Sequence, residues 1–312
     1  MSFQLIRPDI DLDFVGKRYF FVVLSTLINV AAIVLLFTVG LNYGVDFVGG
    51  SVVQVQFNKP TNAEQIRRSL SELGLGEITV QDFGGTSGHS FLLRFEQKKN
   101  IGSMGPLLEQ QFTKALGPDD AKVVRVESVG AKVGNDLRTR GFEAVIGATV
   151  FMGIFIAIQF RNVSWSFGAG AVIALIHDVF FVMFWLVITQ LQFDLTTLAA
   201  LLTVIGYSVH DTVIVSDRIR EDAAKRRREP IEVTMNRAIN ETLSRTLLTS
   251  GTAISVLIAL LAFGGPILRS SAFTLLVGFI TGTYSSIYIA GPVVLFWEGG
   301  KKGSGSVSSR AA

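Results

Sequence analysis

The chain has 312 residues, 49% hydrophobic and 17% charged, and its apolar residues gather into runs long enough to cross a hydrocarbon core. The net charge of +3 is small and its bases cluster at the ends of those runs, which argues against nucleic acid as a partner. There is no cysteine, so disulfide frameworks and thiolate chemistry are excluded.

The first apolar run, about Tyr19–Val39, is too long for a removable signal peptide and lacks a small-residue cleavage site, so it reads as an anchor. A polar stretch of domain size follows, residues 41–140. It opens on Asp46-Phe47-Val48-Gly49-Gly50, a tight turn or a hinge at the membrane surface, because glycine permits conformations closed to other residues. Ser51–Phe57 partly alternates and predicts a strand; Thr61-Asn62-Ala63-Glu64 fits a capping box opening a helix to about Leu73. Strands are expected at Glu77–Phe83 and Ser90–Phe95, around the turn-rich Gly84–Gly88, with His89 a solvated turn residue. A helix at Met104–Leu116 and a strand at Lys122–Ser128 complete the order βαββαβ, which suits a small ferredoxin-like split-βαβ sandwich.

Five more spans follow, at about Ala144–Phe160, Val163–Ile188, Leu195–Val215, Thr246–Phe263 and Phe273–Trp297. The chain is thus expected to be a polytopic α-helical membrane protein with six transmembrane helices and a small external α+β domain between the first two. Its expected divisions are 1–40, 41–140, 141–298 with a cytoplasmic loop at 216–245, and a flexible tail at 299–312 of linker composition. Arg7, Lys17, Arg18, Arg161 and Lys225-Arg226-Arg227-Arg228 stand on one side, whereas Gln190–Asp194 carries no base and Gly264–Ala272 only Arg269. Bases near span ends stay on the cytoplasmic side, so both termini are placed there and the 41–140 domain outside. The basic cluster can also attract anionic lipid.

Asp211 lies inside the fourth run, and a carboxylate at membrane depth costs about 2.5–3.5 kcal/mol to insert. Such a group persists mainly where it pairs, faces a water path or carries protons. Thr203, Tyr207 and Asp211 recur in steps of four, and Arg245, Thr249, Thr252 and Ser255 recur at three to four on the fifth run. Asp211 and Arg245 fall at similar depth, so a proton and the guanidinium are alternative ways of neutralising one carboxylate, which reads as a proton relay. The bland alternatives are a static ion pair at Asp211 and a snorkelling Arg245. Asp178 has only His177 as an obvious partner and reads as relay or packing, as does His210. Adjacent residues point about 100° apart on a helix, so neither His-Asp pair is expected to turn both members inward, and no metal site is expected. Asp217 and Arg220 are spaced for an ion pair on a helical extension of the fourth run, and Gly278 and Gly282 for close helix packing.

Four ordered strings carry a resemblance. Gly44-Val45-Asp46-Phe47-Val48-Gly49-Gly50, Gly206–Thr212 with Asp217–Glu221, Arg245–Thr252 and Gly282–Tyr288 resemble the motifs of the SecF family of protein-export membrane subunits. The resemblance runs from Leu12 to Trp297 and implies the resistance-nodulation-division superfamily, the bacterial inner membrane and a periplasmic external domain. It implies partnership with SecD and the Sec channel, and use of the proton-motive force on translocating unfolded precursor polypeptides, with no enzymatic step and no cofactor. The family's functional fourth-span aspartate falls on Asp211 and its fifth-span arginine on Arg245. His210 departs from the family's usual asparagine.

Three other readings compete. A proton-driven exporter of small molecules or lipids would use similar helices, although one external domain of this size is small for substrate capture. An intramembrane aspartyl protease needs two carboxylates, but neither Asp178 nor Asp211 has a Gly-x-Gly-Asp setting. A passive scaffold for SecD would need the charges only as locks.

Overall fold

The computed structural model describes residues 11–73, 78–82, 90–95, 104–117, 121–159, 165–226 and 228–297, side chains 72, 82 and 266 excepted. Arg7, the Gly84–Gly88 turn, His89, Arg161, Arg227 and the Gly303–Ala312 tail lie outside the described residues. The chain divides into two compact units, Tyr43–Phe142 and the remainder.

The Tyr43–Phe142 unit begins with a single helical turn, α2 (Val45–Val48), after which Gly49 and Gly50 take φ of +80° and +124°. These are values that a side chain disfavours. A Cβ on Gly49 would lie 2.6 Å from the Ala131 Cα, so this glycine also allows two backbones to touch. Strands β1 (Gly50–Phe57), β2 (Ile78–Asp82), β3 (Ser90–Phe95) and β4 (Ala121–Val129) form an antiparallel sheet in the order β2-β3-β1-β4. With α3 (Ala63–Leu70) and α4 (Met104–Leu116) the chain order is βαββαβ, as expected. Alternation in β1 sends Val53, Val55 and Phe57 to one face. There they meet Leu93 and Phe95 of β3, Ile66 and Leu70 of α3, and Leu108 and Phe112 of α4.

The helix cap differs from the expected one. Asn62, not Thr61, is the N-cap: its side chain accepts from the Gln65 N–H while the Gln65 side chain accepts from the Asn62 N–H. Asparagine caps as well as threonine does, and a cap one residue later puts Gln65 rather than Glu64 at the reciprocal position.

Among the described residues, six helices are long and apolar enough to cross a membrane: α1 (Arg18–Thr38), α5 (Ala131–Gln159), α6 (Trp165–Thr189), α7 (Leu195–Lys225), α8 (Ile231–Phe263) and α9 with its continuation (Ile267–Trp297). Regular α9 covers Gly265–Ser285 and passes into a π turn at Ser286–Ala290. Of residues 216–245, expected as a cytoplasmic loop with a helical extension at Asp217–Glu221, residues 216–225 and 231–245 are instead the helical ends of α7 and α8. Ion pairs knit those ends: Arg218 reaches Glu241 on α8 and Glu221 on its own helix, Lys225 reaches Glu221 at 2.6 Å, and Arg220 reaches Asp217 at 2.6 Å.

Glu229, just ahead of α8, is held by Arg237, which donates to both of its oxygens at 2.7 and 2.9 Å. Those hydrogen bonds hold the Glu229 carboxyl below the ordinary glutamate value, against a smaller opposing effect of desolvation. Because the folded value is the depressed one, the stabilisation is complete above the ordinary value and is lost as pH falls through the depressed one. Amide exchange at Val233 and Thr234, corrected for its intrinsic rate, is therefore expected to stay flat down to about pH 5 and to accelerate only at lower pH. Acceleration already near neutrality would contradict that linkage.

α9 packs against α6, α7 and α8, and α1 packs against α6. The closest approach uses the glycines singled out above: a Cβ on Gly278 would sit 2.1 Å from a Val204 methyl, and one on Gly282 3.3 Å from the Ser208 Cα. Gly278→Ala is expected to destabilise the helices by about 1–3 kcal/mol, since both Val204 methyls and its Cβ block the new carbon. Gly206→Ala, with open space around it, should leave a detergent melting curve unchanged.

Candidate intramembrane carboxylate site

Asp211 sits on the buried face of α7 and is 1% exposed. Ser250 of α8 donates to its Oδ2 at 3.3 Å, and the Thr283 hydroxyl of α9 lies 3.4 Å from the same oxygen. His210 Nδ1 is 3.8 Å from Oδ1, while the rest of the His210 side chain points outward and is 63% exposed. All of these contacts are long for hydrogen bonds to a carboxylate. Tyr207, one turn earlier on α7, donates to Ser250 at 3.0 Å and stacks on Phe279 with ring centroids 3.8 Å apart. Thr283 also lies 2.7 Å from Ser250 and 2.9 Å from the Phe279 carbonyl, so its single hydroxyl proton has three acceptors to choose among. Exchangeable hydroxyls thus converge on one buried carboxylate where three helices meet.

Arg245 does not join Asp211 in this arrangement. It is exposed on α8, and no hydrogen bond or ion pair of its side chain occurs among the described residues. The residue of α8 that meets Asp211 is Ser250, five positions on, or about 7.5 Å along the helix axis. Thr249, Thr252 and Ser255 share the outward side with Arg245, whereas Thr242, Thr246 and Ser250 form the buried face. α8 therefore carries two polar stripes, and the spacing in steps of four at Thr242, Thr246 and Ser250 was a signal that could have found the inner one.

Asp178 is fully buried on α6 and accepts from three side chains. Ser208 of α7 and Ser285 of α9 donate to Oδ2, the latter at 2.8 Å, and His177 Nδ1 lies 2.9 Å from Oδ1. The expectation that a neighbouring His-Asp pair turns only one member inward fails here, since His177 is 3% exposed. The packing of α9 covers both directions, and the imidazole folds back onto the adjacent carboxylate. Ser285 was not singled out in the sequence; it is two residues beyond Thr283, on a helix whose π turn starts at the next position.

In the other unit, Phe47 is buried beside Tyr43, with rings 6.2 Å apart, and Gly49 lies against α5 through Ala131 and Gly134. Asp46 occupies the first turn of α2. No group of three metal-ligating side chains occurs among the described residues.

Six apolar helices, an inserted α+β unit and two buried carboxylates between helices define a multi-pass membrane protein of the transport type. Comparison with known proteins gives the family. The model for the C-terminal region of the protein-export membrane proteins SecD and SecF matches residues 109–300, and that for the SecD/SecF GG motif matches residues 34–61. Among curated relatives, "Protein translocase subunit SecF" of Calditerrivibrio nitroreducens is 39% identical over 93% of this chain and 95% of its own length. That of Vibrio alginolyticus is 38% identical over 94% and 92%. The crystal structure of SecDF from Thermus thermophilus, described as a translocon-associated membrane protein, matches with a TM-score of 0.83 and 33% identity over 95% of this chain. A super-membrane-facing form of SecDF matches with a TM-score of 0.72, at 33% identity over 96% of the chain. The chain spans 40% of each SecDF chain. It belongs to the SecF family of protein translocase subunits.

Proposed function

We propose that this chain is the SecF-type half of a SecD–SecF complex that draws on the proton-motive force to help unfolded precursor polypeptides through the Sec channel. The observation that carries the proposal is Asp211: a buried carboxylate at the junction of α7, α8 and α9, reached only through long contacts from groups able to pass a proton. Arg245, held apart from it here, is the movable counter-charge. A proton and a guanidinium are alternative ways to neutralise the same carboxylate, so proton passage is linked to helix displacement. The 43–142 unit grips and releases the emerging chain as the helices move.

The SecD partner is supported by the outward polar side of α7 and α8. Thr203, His210, Arg245, Thr249, Thr252 and Ser255 are exposed along helices of membrane-spanning hydropathy. His210 and Arg245 favour protein or water over lipid as neighbours, whereas the four hydroxyls bond carbonyls of their own helix. The SecDF chains extend well beyond the two fifths that this chain matches, which is consistent with a SecD-type partner beside it. The arrangement of bases supports a cytoplasmic position for both termini in a bacterial cell and a periplasmic one for the 43–142 unit.

The experiment is precursor export into membrane vesicles carrying this chain with SecD, with and without an imposed proton gradient. Export is expected to rise with the gradient and to lose that rise on adding a protonophore. Equal export in both states, with SecD still bound, would leave the passive scaffold ahead.

A further inference from the structure

The second buried carboxylate, Asp178, has no part in the relay above, yet it is the better held of the two. Its bonds from Ser285 and His177 are 2.8 and 2.9 Å, beside the one from Ser208, whereas the contacts of Asp211 run from 3.3 to 3.8 Å. The three donors come from α6, α7 and α9, so one side chain ties three helices. Among the described residues His177 has no other polar tie: its Nε2 is buried and without a partner, and its ring lies beside Phe181 and Tyr284. An ionised carboxylate only accepts, and the Nδ1 that faces such a group is the donor.

The spacing then matters. Ser208 stands three residues before Asp211 on α7, about 4.5 Å along the axis, and Ser285 stands two after Thr283 on α9, about 3 Å. A slip at either serine is carried within one turn to the groups around Asp211. The same helices also approach closely: a Cβ on Gly282 would press on Ser208, and one on Gly170 of α6, eight residues before Asp178, would lie 2.7 Å from the Ala290 carbonyl. Such contacts set separation but leave a helix able to slide, whereas directional bonds to a fixed acceptor set register.

We propose that Asp178 is a positioning residue: through Ser208 and Ser285 it fixes α7 and α9 on α6 in the register that gives Asp211 its Ser250 and Thr283 partners. His177 orients the carboxylate for that task. The functional consequence rests on the proton reading above; the geometric one does not.

Two measurements separate them. Because the chain has no cysteine, spin labels can be placed at the exposed Leu195, the first residue of α7, and Ile280 of α9 in the complex with SecD. The Ser208→Ala/Ser285→Ala double variant is expected to shift or broaden the distance distribution between them. An unchanged distribution in the double variant overturns the inference, whatever drives export. Should the double variant not assemble, Asp178→Asn and Asp178→Leu replace it. Asparagine keeps one acceptor oxygen for the two hydroxyls and should largely retain the parental distribution, and leucine should not; equal behaviour of the two again overturns the proposal. In the vesicle assay, the double variant should lower the gradient-stimulated part of export at least tenfold more than the part that runs without a gradient. Equal loss of both parts would mean general damage rather than positioning. If the parent itself shows no gradient stimulation, the proton reading falls and the label distances still decide the role of Asp178.

Discussion

Asp211→Asn is expected to leave a folded chain that still co-purifies with SecD but no longer responds to a proton gradient. The substitution is nearly isosteric, and the amide oxygen can accept from Ser250 and Thr283 as the carboxylate does, so the helix junction is retained. What disappears is a group able to bind and release a proton. A membrane potential provides about 2.3 kcal/mol per charge per 100 mV, a factor of about 50 in any step that moves one charge through the full field. Gradient stimulation of up to that order in the parent should therefore fall to none in the variant. The reading is export with and without gradient, normalised to the amount of complex. Parental stimulation in Asp211→Asn would remove the proton step from Asp211.

Phe57→Ala is expected to have the largest effect on the 43–142 unit, a loss of about 3–5 kcal/mol. Phe57 is 2% exposed at the end of β1, with its ring edge-on to Phe91 of β3 at 5.7 Å and to Phe112 of α4 at 5.2 Å. It thus joins the sheet to a helix of its covering layer, and truncation leaves a cavity that neither neighbour can fill without breaking the other contact. Units of about this size are stable by only about 5–15 kcal/mol, so about a fifth or more of the total is at stake. Limited proteolysis of the intact chain should show faster cleavage within residues 43–142, while the helices remain resistant and SecD stays bound. If those proteolysis rates match the parent, the core assignment is wrong. If the unit grips precursor, gradient-stimulated export should fall with it.

The spans, the order βαββαβ and the choice of Asp211 were all readable in the chain, because each rests on a local property. Leu195–Val215 is apolar enough to announce a membrane helix by itself, and Asp211 is conspicuous within it. The alternation Val53, Val55, Phe57 likewise identifies a strand with one buried face. Errors fell where two local signals had equal strength. Thr61 and Asn62 are both good caps, and the structure took the second because Gln65 then closes the box. Residues 216–245 are charged enough to read as a loop, yet their charges pair along and between helices, as between Arg218 and Glu241.

By itself, then, the sequence determined that this is a six-span membrane protein of the SecF family with a small inserted α+β unit and an ionisable residue in its fourth span. Hydrophobic run length and side-chain period are properties of neighbouring residues, so they survive without knowledge of what packs on what. Only the tertiary structure decided which polar groups face that residue. On α8 two stripes compete, Arg245 with Thr249 and Thr252 on one side, Thr246 with Ser250 on the other, and helical periodicity does not choose between them. The choice is made by α9, whose Gly278 and Gly282 let it press against Val204 and Ser208 of α7. The same close approach delivers Thr283 to Asp211 and Ser285 to Asp178, pairings across more than 70 positions of chain that no local pattern encodes.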